Sequence, residues 1–281
     1  MCLVAISLGK SRRFPLVLAS NRDEFFERES APLGWWTPSL PAEAGARPVL
    51  GGRDLRAQGT WLGLGADCRL ALVTNVRSPK PQRSDARTRG ELVTQWLHSQ
   101  DDMARFWAQV DGAQYNGFYL LAADAAGRWY WATNTNTSAS PRQLAPGLYG
   151  VSNAGLDSDW PKITRLKSRL AEALIDTRDD EAADALFERL FAALADRSVA
   201  SDAALPSTGV SLELERTLSA AFIHAPDGRY GTRSSTLVVR EQASDWSQFH
   251  VVERSFEPDG RLSAQRHFTL TDDHTGAERK T

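Results

Sequence analysis

Residues 2–8 are apolar apart from Ser7, begin at a cysteine and stop at Gly9, with Lys10, Arg12 and Arg13 close behind. A short apolar run bounded by a polar turn reads as a β-strand, and residues 15–20 read as a second one. The polar, basic link between them suits a hairpin turn. The chain must therefore place its first residues inside a sheet. Antiparallel pairing returns the end of the second strand beside the start of the first, so Asp23, just past that end, is expected near Cys2.

The rest of the chain follows the same order of strands, helices and strands. Residues 30–48 are rich in Pro, Gly and Trp and read as loop, and residues 51–54 (Gly51, Gly52, Arg53, Asp54) as a turn. Residues 60–65 and 69–76 form a strand pair ending near Asn75. Leu92, Val93, Trp96 and Leu97 share one face of a helix over 87–99, and 101–110 reads as another. Residues 118–123 and 129–133 make a hairpin, and 148–152 a short strand that runs into Asn153.

Apolar side chains then recur at helical spacing from Trp160 to Leu174 and from Leu186 to Leu194. Asp159 is a candidate N-cap for the first of these helices, and Pro161 suits its first turn. Residues 198–211 are loop. Residues 230–240, 247–256 and 262–270 read as closing strands, the last two joined by the turn Glu257-Pro258-Asp259-Gly260. With no repeat and no dividing linker, residues 1–270 are read as one domain and 271–281 as a frayed tail. The element order suits two sheets between helical layers.

Composition narrows the chemistry. A net charge of −2 argues against a general nucleic-acid binder. Two cysteines, Cys2 and Cys68, make neither a disulfide framework nor a zinc spacing, and fit a reducing, cytoplasmic compartment. Five scattered histidines give no paired-ligand pattern, so no metal is expected. No run approaches the roughly 20 apolar residues of a membrane span.

What remains is a set of polar clusters at strand ends. Removal of Met1 would leave Cys2 with a thiol and a free α-amine on one residue. An α-amine titrates at about 7.7–8.0 and a thiol near about 8.5, so the amine can serve as base for its own nucleophile. Asp23 is placed to orient that amine, Asn75 and Asn153 to donate to an oxyanion, and Arg233 to hold negative charge or fix Asp23. Each residue alone also admits a plainer role: a small strand residue, a turn-forming Asn, a structural ion pair.

The motifs together resemble a known family. Met1-Cys2, Ser20-Asn21-Arg22-Asp23-Glu24, Gly51-Gly52-Arg53-Asp54, Gly59-Thr60-Trp61-Leu62-Gly63, Thr74-Asn75 and Arg89-Gly90 look like the NRDE family. So do Ser152-Asn153-Ala154-Gly155-Leu156-Asp157, Trp160-Pro161-Lys162 and Tyr230-Gly231-Thr232-Arg233-Ser234. That is the family of the transport and Golgi organisation protein 2 homologues. The resemblance implies an α+β fold, a four-layer αββα sandwich of the N-terminal-nucleophile hydrolase type, distantly similar to penicillin V acylases and bile salt hydrolases.

It carries over Cys2 as nucleophile and Asp23 as partner of the α-amine, with Asn75, Asn153 and Arg233 completing the site. Asn21, Arg22, Glu24, Arg53 and Asp54 carry over as motif residues. One position departs: the acylases have an arginine where this chain has Ser20, and Arg22 is expected to turn to the other face of its strand.

Two readings of function follow. The first is a cysteine-dependent amidohydrolase or acyltransferase acting on a non-peptide C–N or thioester bond through an acyl-Cys2 intermediate, with no cofactor required. The second is a haem-trafficking or acyl-coenzyme-A and lipid-binding protein on a non-catalytic hydrolase scaffold, with haem as a bound ligand. Trp35, Trp36 and Trp61 are its candidate ligand contacts, and Arg77, Lys80, Arg83, Arg87 and Arg89 a basic stretch for carboxylates or phosphates. That stretch reads more simply as a solvated loop.

Overall fold

The structure, a computed structural model, describes residues 2–39, 47–136, 140–271 and, by backbone alone, 276–279. Met1 and residues 40–46 of the expected loop lie outside the described residues. The chain is α+β and divides into two compact units: residues 1–27, 77–79 and 146–281, and residues 28–76 and 80–145.

The first unit is built on a seven-stranded antiparallel sheet in which the N-terminal hairpin lies one strand in from an edge. Strand β1 (Cys2–Leu8) lies between β2 (Leu16–Phe25) and β10 (Gly147–Val151). Strand β2 pairs in turn with β11 (Tyr230–Gln242), and β12 (Ser247–Phe256), β13 (Leu262–Thr271) and β14 (Gly276–Arg279) complete the order. Alternation sends Leu3 and Ala5 of β1, Val17 and Ala19 of β2, and Leu237 and Val239 of β11 into one apolar cluster.

Helices α3 (Pro161–Asp176) and α4 (Ala183–Leu194) fill that cluster with Ile163, Leu166 and Leu170, and with Leu186, Phe187, Leu190 and Phe191. The three-and-four spacing that marks these helices in sequence is the stripe they bury. Gly260 closes the β12–β13 turn at φ +77°, where a Cβ would strain the backbone.

The second unit is a meander. Strands β3 (Ser30–Trp36), β4 (Val49–Asp54), β5 (Leu62–Gly65), β6 (Leu70–Asn75), β7 (Phe118–Ala123), β8 (Trp129–Thr133) and β9 (Arg142–Leu144) pair in chain order. Helix α1 (Gly90–His98) buries Leu92, Val93, Trp96 and Leu97 in this unit's core. Helix α2 (Met103–Ala108) is capped by Asp102, which accepts from the Arg105 amide at 2.9 Å, and packs Phe106 edge-on to Trp96.

Several expectations are corrected. Residues 30–36 are strand, not loop, because β4 supplies the partner that local composition cannot show. Residues 51–54 continue β4 instead of turning. Their glycines are there for close approach: a Cβ on Gly51 would sit 2.5 Å from the Leu62 carbonyl, and one on Gly52 2.3 Å from the Trp61 ring. The Asn21–Glu24 stretch does not follow β2 but lies within it. Helix α3 has Trp160, not Asp159, at its N-cap and makes no side-chain cap there, with Pro161 at its first position. Strand β9 and helix α5 (Leu212–Thr217) fall in segments with no pattern of their own.

Candidate active site

Strand register assembles the centre of the first unit. Cys2 sits directly opposite Arg22 on β2, and Arg22 opposite Ser234 on β11. Side chains of directly opposed residues share a face of the sheet, so Arg22 lies on the thiol's face. This overturns the expectation that Arg22 turns away from it.

One residue further on, Asp23 opposes Thr232, just before a bulge at Arg233. The Thr232 hydroxyl donates to Asp23 Oδ1 at 2.7 Å, and the Tyr230 hydroxyl donates to the Asp23 carbonyl at 3.2 Å. The Ile223 amide donates to the Thr232 hydroxyl at 2.8 Å, which fixes that hydroxyl's direction.

The end of β10 reaches the same place. The Ser152 hydroxyl donates to the Cys2 carbonyl at 3.1 Å and lies 3.2 Å from Asn153 Oδ1. Cys2, Asp23, Ser152 and Asn153 are all buried. Arg233 stands at the edge of this group: its guanidinium donates to the Phe25 carbonyl at 3.0 Å and lies over the Phe26 ring at 5.1 Å. Burial lowers its basicity, and Glu24 supports its charge.

Asn21, in the same motif, serves the fold. Its amide donates to the Leu194 and Ala221 carbonyls, each at 2.8 Å, and its oxygen accepts from the Ser235 hydroxyl at 2.6 Å. Glu24 accepts from the Phe25 amide at 2.9 Å.

The remaining expected residues belong to the second unit. Asn75 ends β6 opposite Phe118. Arg53 pairs with Gln58 and lies over the Trp36 ring at 5.0 Å. Asp54 pairs with Arg28 at 2.7 Å and accepts from the amides of Arg56 and Ala57, so it shapes the turn after β4. Trp35 pairs with Leu50 across β3 and β4, Trp36 donates to the Gly51 carbonyl at 3.2 Å, and the Trp61 ring covers Gly52.

The structure adds charged groups to the Cys2 centre that residue-type reasoning did not single out. Lys162, at the second position of α3, is 2% exposed, and its ammonium lies 5.9 Å from the Trp160 ring centroid. Arg77 lies over the same ring at 4.4 Å, and its backbone amide donates to the Asn153 carbonyl at 2.8 Å. The Arg77 guanidinium forms a 2.5 Å ion pair with Glu215 on α5, itself held by the amide and hydroxyl of Thr208. A buried cation at a helix N-terminus is against both solvation and the helix dipole; in sequence Lys162 is marked only by the Trp160-Pro161-Lys162 motif, which assigned it no role.

Burial dominates the electrostatics. It pushes the Cys2 thiol up; Asp23 adds to this and Arg22 works against it. It raises the Asp23 carboxyl, with Lys162 the strongest opposing charge. It pulls the Lys162 ammonium down to about 8, with Asp23 the strongest support. Tyr230 is raised well above its ordinary value by burial and then by Asp23. A thiol raised in this way is protonated at rest and needs a base at the moment of attack. Among the described residues no group of three or more His, Cys, Asp or Glu side chains forms a metal site, and no helix is long and apolar enough to cross a membrane.

Residues 1–258 match the family model described as Transport and Golgi organisation 2. The chain is 35% identical over 256 residues to the Transport and Golgi organization protein 2 homolog of Bos taurus, covering 85% of this chain and 88% of that one. It is 33% identical over 259 residues to the homolog of Homo sapiens, with the same coverage of 85% and 88%. Among solved structures, it is similar to the C2A mutant of the conjugated bile acid hydrolase of Clostridium perfringens. That likeness has a TM-score of 0.49 and 8% identity, over 99% of this chain and 97% of that one.

Proposed function

This chain belongs to the Transport and Golgi organisation 2 family, and from that premise we propose that it is a cysteine-dependent amidohydrolase or acyltransferase acting through Cys2. The observation that carries the reading is the buried convergence of Cys2, Asp23, Ser152 and Asn153, set by the register of β1, β2, β10 and β11. The substrate class is a non-peptide amide or a thioester.

In the mechanism, Met1 is removed and the Cys2 α-amine takes the thiol proton as Sγ attacks the acyl carbon. The Sγ–C bond forms, the carbonyl oxygen becomes an oxyanion, and the Asn153 amide donates to it. Collapse expels the amine or thiol, which takes the proton back from the α-ammonium. Water or a second nucleophile then opens the acyl-Cys2 thioester by the same route. The carboxylate of Asp23, held by Thr232, orients the amine and balances its charge when protonated. Neither Cys2 nor Cys68 is in a disulfide, as a thiol nucleophile in a reducing cytoplasm requires.

The alternative, carriage of haem or an acyl-coenzyme A, asks for cations free to meet a ligand. Several of the basic side chains it relies on are engaged within the protein. Arg83 donates to the Ala113 carbonyl, Arg87 pairs with Glu91, Arg89 donates to the Gly117 carbonyl, and Arg77 pairs with Glu215. This favours chemistry over carriage.

The test is intact mass and peptide mapping after exposure to p-nitrophenyl acetate. Loss of Met1 with a single acetyl adduct on Cys2, absent in Cys2→Ala, is the expected result. Retained Met1, or adduct formation that persists in Cys2→Ala, overturns the reading and turns attention to haem and acyl-coenzyme-A titrations.

A further inference from the structure

Asp157 has a φ of +56°, in the left-handed region that side chains rarely enter and that Asn and Asp tolerate better than most. A residue stays in such a conformation when its contacts hold it there. The Asp157 amide donates to the Gly150 carbonyl at 2.7 Å, and its Oδ1 accepts from the Gly150 amide at 2.8 Å. Gly150 lies on β10, an edge strand of the first unit's sheet. Asp157 therefore supplies the donor and the acceptor that a further strand would have brought.

Helix α3 completes the arrangement. Asp157 Oδ1 also takes the Lys167 ammonium at 2.6 Å. Lys167 follows Ile163 by four positions, so the two share a face of α3. A Cβ on Gly150 would meet the Ile163 side chain and lie 3.0 Å from Lys167 Cδ. The bare glycine lets α3 lie close on β10, and Lys167 reaches Asp157 from there.

The residues enclosed between Gly150 and Asp157 are the ones that meet Cys2. The loop leaves the sheet after Val151 and carries Ser152, which donates to the Cys2 carbonyl at 3.1 Å, and Asn153 beside it. On its other side the Arg77 amide donates to the Asn153 carbonyl at 2.8 Å. Strand β10 is paired with β1, so closing the loop onto Gly150 fixes it relative to the strand that begins at Cys2. Glycine at position 157 would make the same turn without strain, so what Asp contributes there is its carboxylate.

We propose that Asp157 is a positioning residue of the Cys2 centre: its carboxylate clasps Gly150 and so holds the loop that presents Asn153 to the oxyanion. The proposal takes its purpose from the hydrolase reading, while the clasp itself is tested without it. A donor aimed at an oxyanion must be accurately placed, and a displacement of about 1 Å costs on the order of a hundredfold in rate.

The experiment compares Asp157→Gly, which removes the carboxylate and relieves the backbone, with Asp157→Asn, which keeps an Oδ1 acceptor and tolerates the same φ. Both are made in the full chain. The first readout is NMR: hydrogen exchange of the Gly150 amide, and the side-chain amide of Asn153, assigned through Asn153→Ala. Asp157→Gly should speed Gly150 exchange at least roughly tenfold and shift the Asn153 resonances, and Asp157→Asn should leave both near wild type. The second readout is the rate of Cys2 acetylation by p-nitrophenyl acetate. Its maximum should fall roughly tenfold to a hundredfold in Asp157→Gly, with the half-saturating ester concentration moving less than about twofold. Asp157→Asn should restore most of that rate. In an Asn153→Ala background, Asp157→Gly should have little further effect.

An Asn153 side-chain amide unmoved in Asp157→Gly overturns the proposal. So does a wild-type acetylation rate in that variant, or an undiminished loss in the Asn153→Ala background. If the NMR changes appear but neither the wild type nor any variant acetylates Cys2, the clasp stands and the hydrolase reading falls. Asp157→Ala is the second variant without the carboxylate, so a folding defect particular to glycine does not decide the outcome.

Discussion

Asn21→Ala tests whether the first residue of the motif is a structural clip. Asn21 is fully buried and satisfies three groups at once: the Leu194 carbonyl at the end of α4, the Ala221 carbonyl, and the Ser235 hydroxyl of β11. Each hydrogen bond contributes about 1 kcal/mol net, so the three together contribute about 3 kcal/mol. Alanine also strands the two carbonyls in a site closed to water, and each buried unsatisfied group costs a further ~1 kcal/mol or more. The expected loss is therefore about 3–5 kcal/mol, at the large end for a single substitution.

Urea denaturation followed by far-ultraviolet circular dichroism reads this directly. With a slope of about 3 kcal/mol per molar urea, the midpoint should fall by about 1–1.7 M. Asn21→Asp sharpens the test by keeping the shape and reversing the donor. An ionised carboxylate would face two carbonyl oxygens, so at neutral pH the loss should at least match that of alanine. Protonation supplies a donor, so the folded-state carboxyl titrates above its unfolded value. Stability is then recovered as pH falls through that folded value and lost as it rises. An alanine variant within about 1 kcal/mol of wild type, or a fully stable aspartate variant at neutral pH, would refute the clip.

Two further outcomes follow from packing and charge. Glu215→Ala leaves the Arg77 guanidinium, whose side chain is 4% exposed, without its anion and should cost about 3–5 kcal/mol by urea midpoint. Adding Arg77→Met should recover much of that loss, and no recovery would mean that the pair matters through something other than its buried charges. Gly52→Ala drives a methyl to 2.3 Å from the Trp61 ring, so it should cost about 1–3 kcal/mol and alter the near-ultraviolet circular dichroism. An unchanged spectrum and midpoint would show that the ring moves aside freely.

The elements readable from sequence are those whose pattern is complete within one segment. The apolar spacing of Ile163, Leu166 and Leu170, and of Leu186 and Leu190, is the stripe that α3 and α4 bury. The hairpin of β1 and β2 follows from its own turn, and with it the approach of Asp23 to the Cys2 end of the sheet. Cys2 and Asp23 were therefore legible as neighbours. Where pairing depends on a distant segment, the local signal fails. Strand β3 looks like loop because its Pro, Gly and Trp residues are explained only by β4, and Gly51 and Gly52 look like a turn because close approach and turning favour the same residue.

Tertiary structure alone decided how the motif divides its labour. Asn21 and Asp23 are separated by one residue, yet one is saturated by helix and loop carbonyls while the other accepts from the Thr232 hydroxyl. Arg22 shares a face with Cys2 because of the β1–β2 register, which fixes the orientation of every side chain along the pair. Lys162 lies 139 positions from Asp23 in the sequence, and no spacing rule connects them. Sequence determines which groups can carry charge or donate protons. Burial and long-range charge determine which of them do, because both depend on what the fold packs around each group.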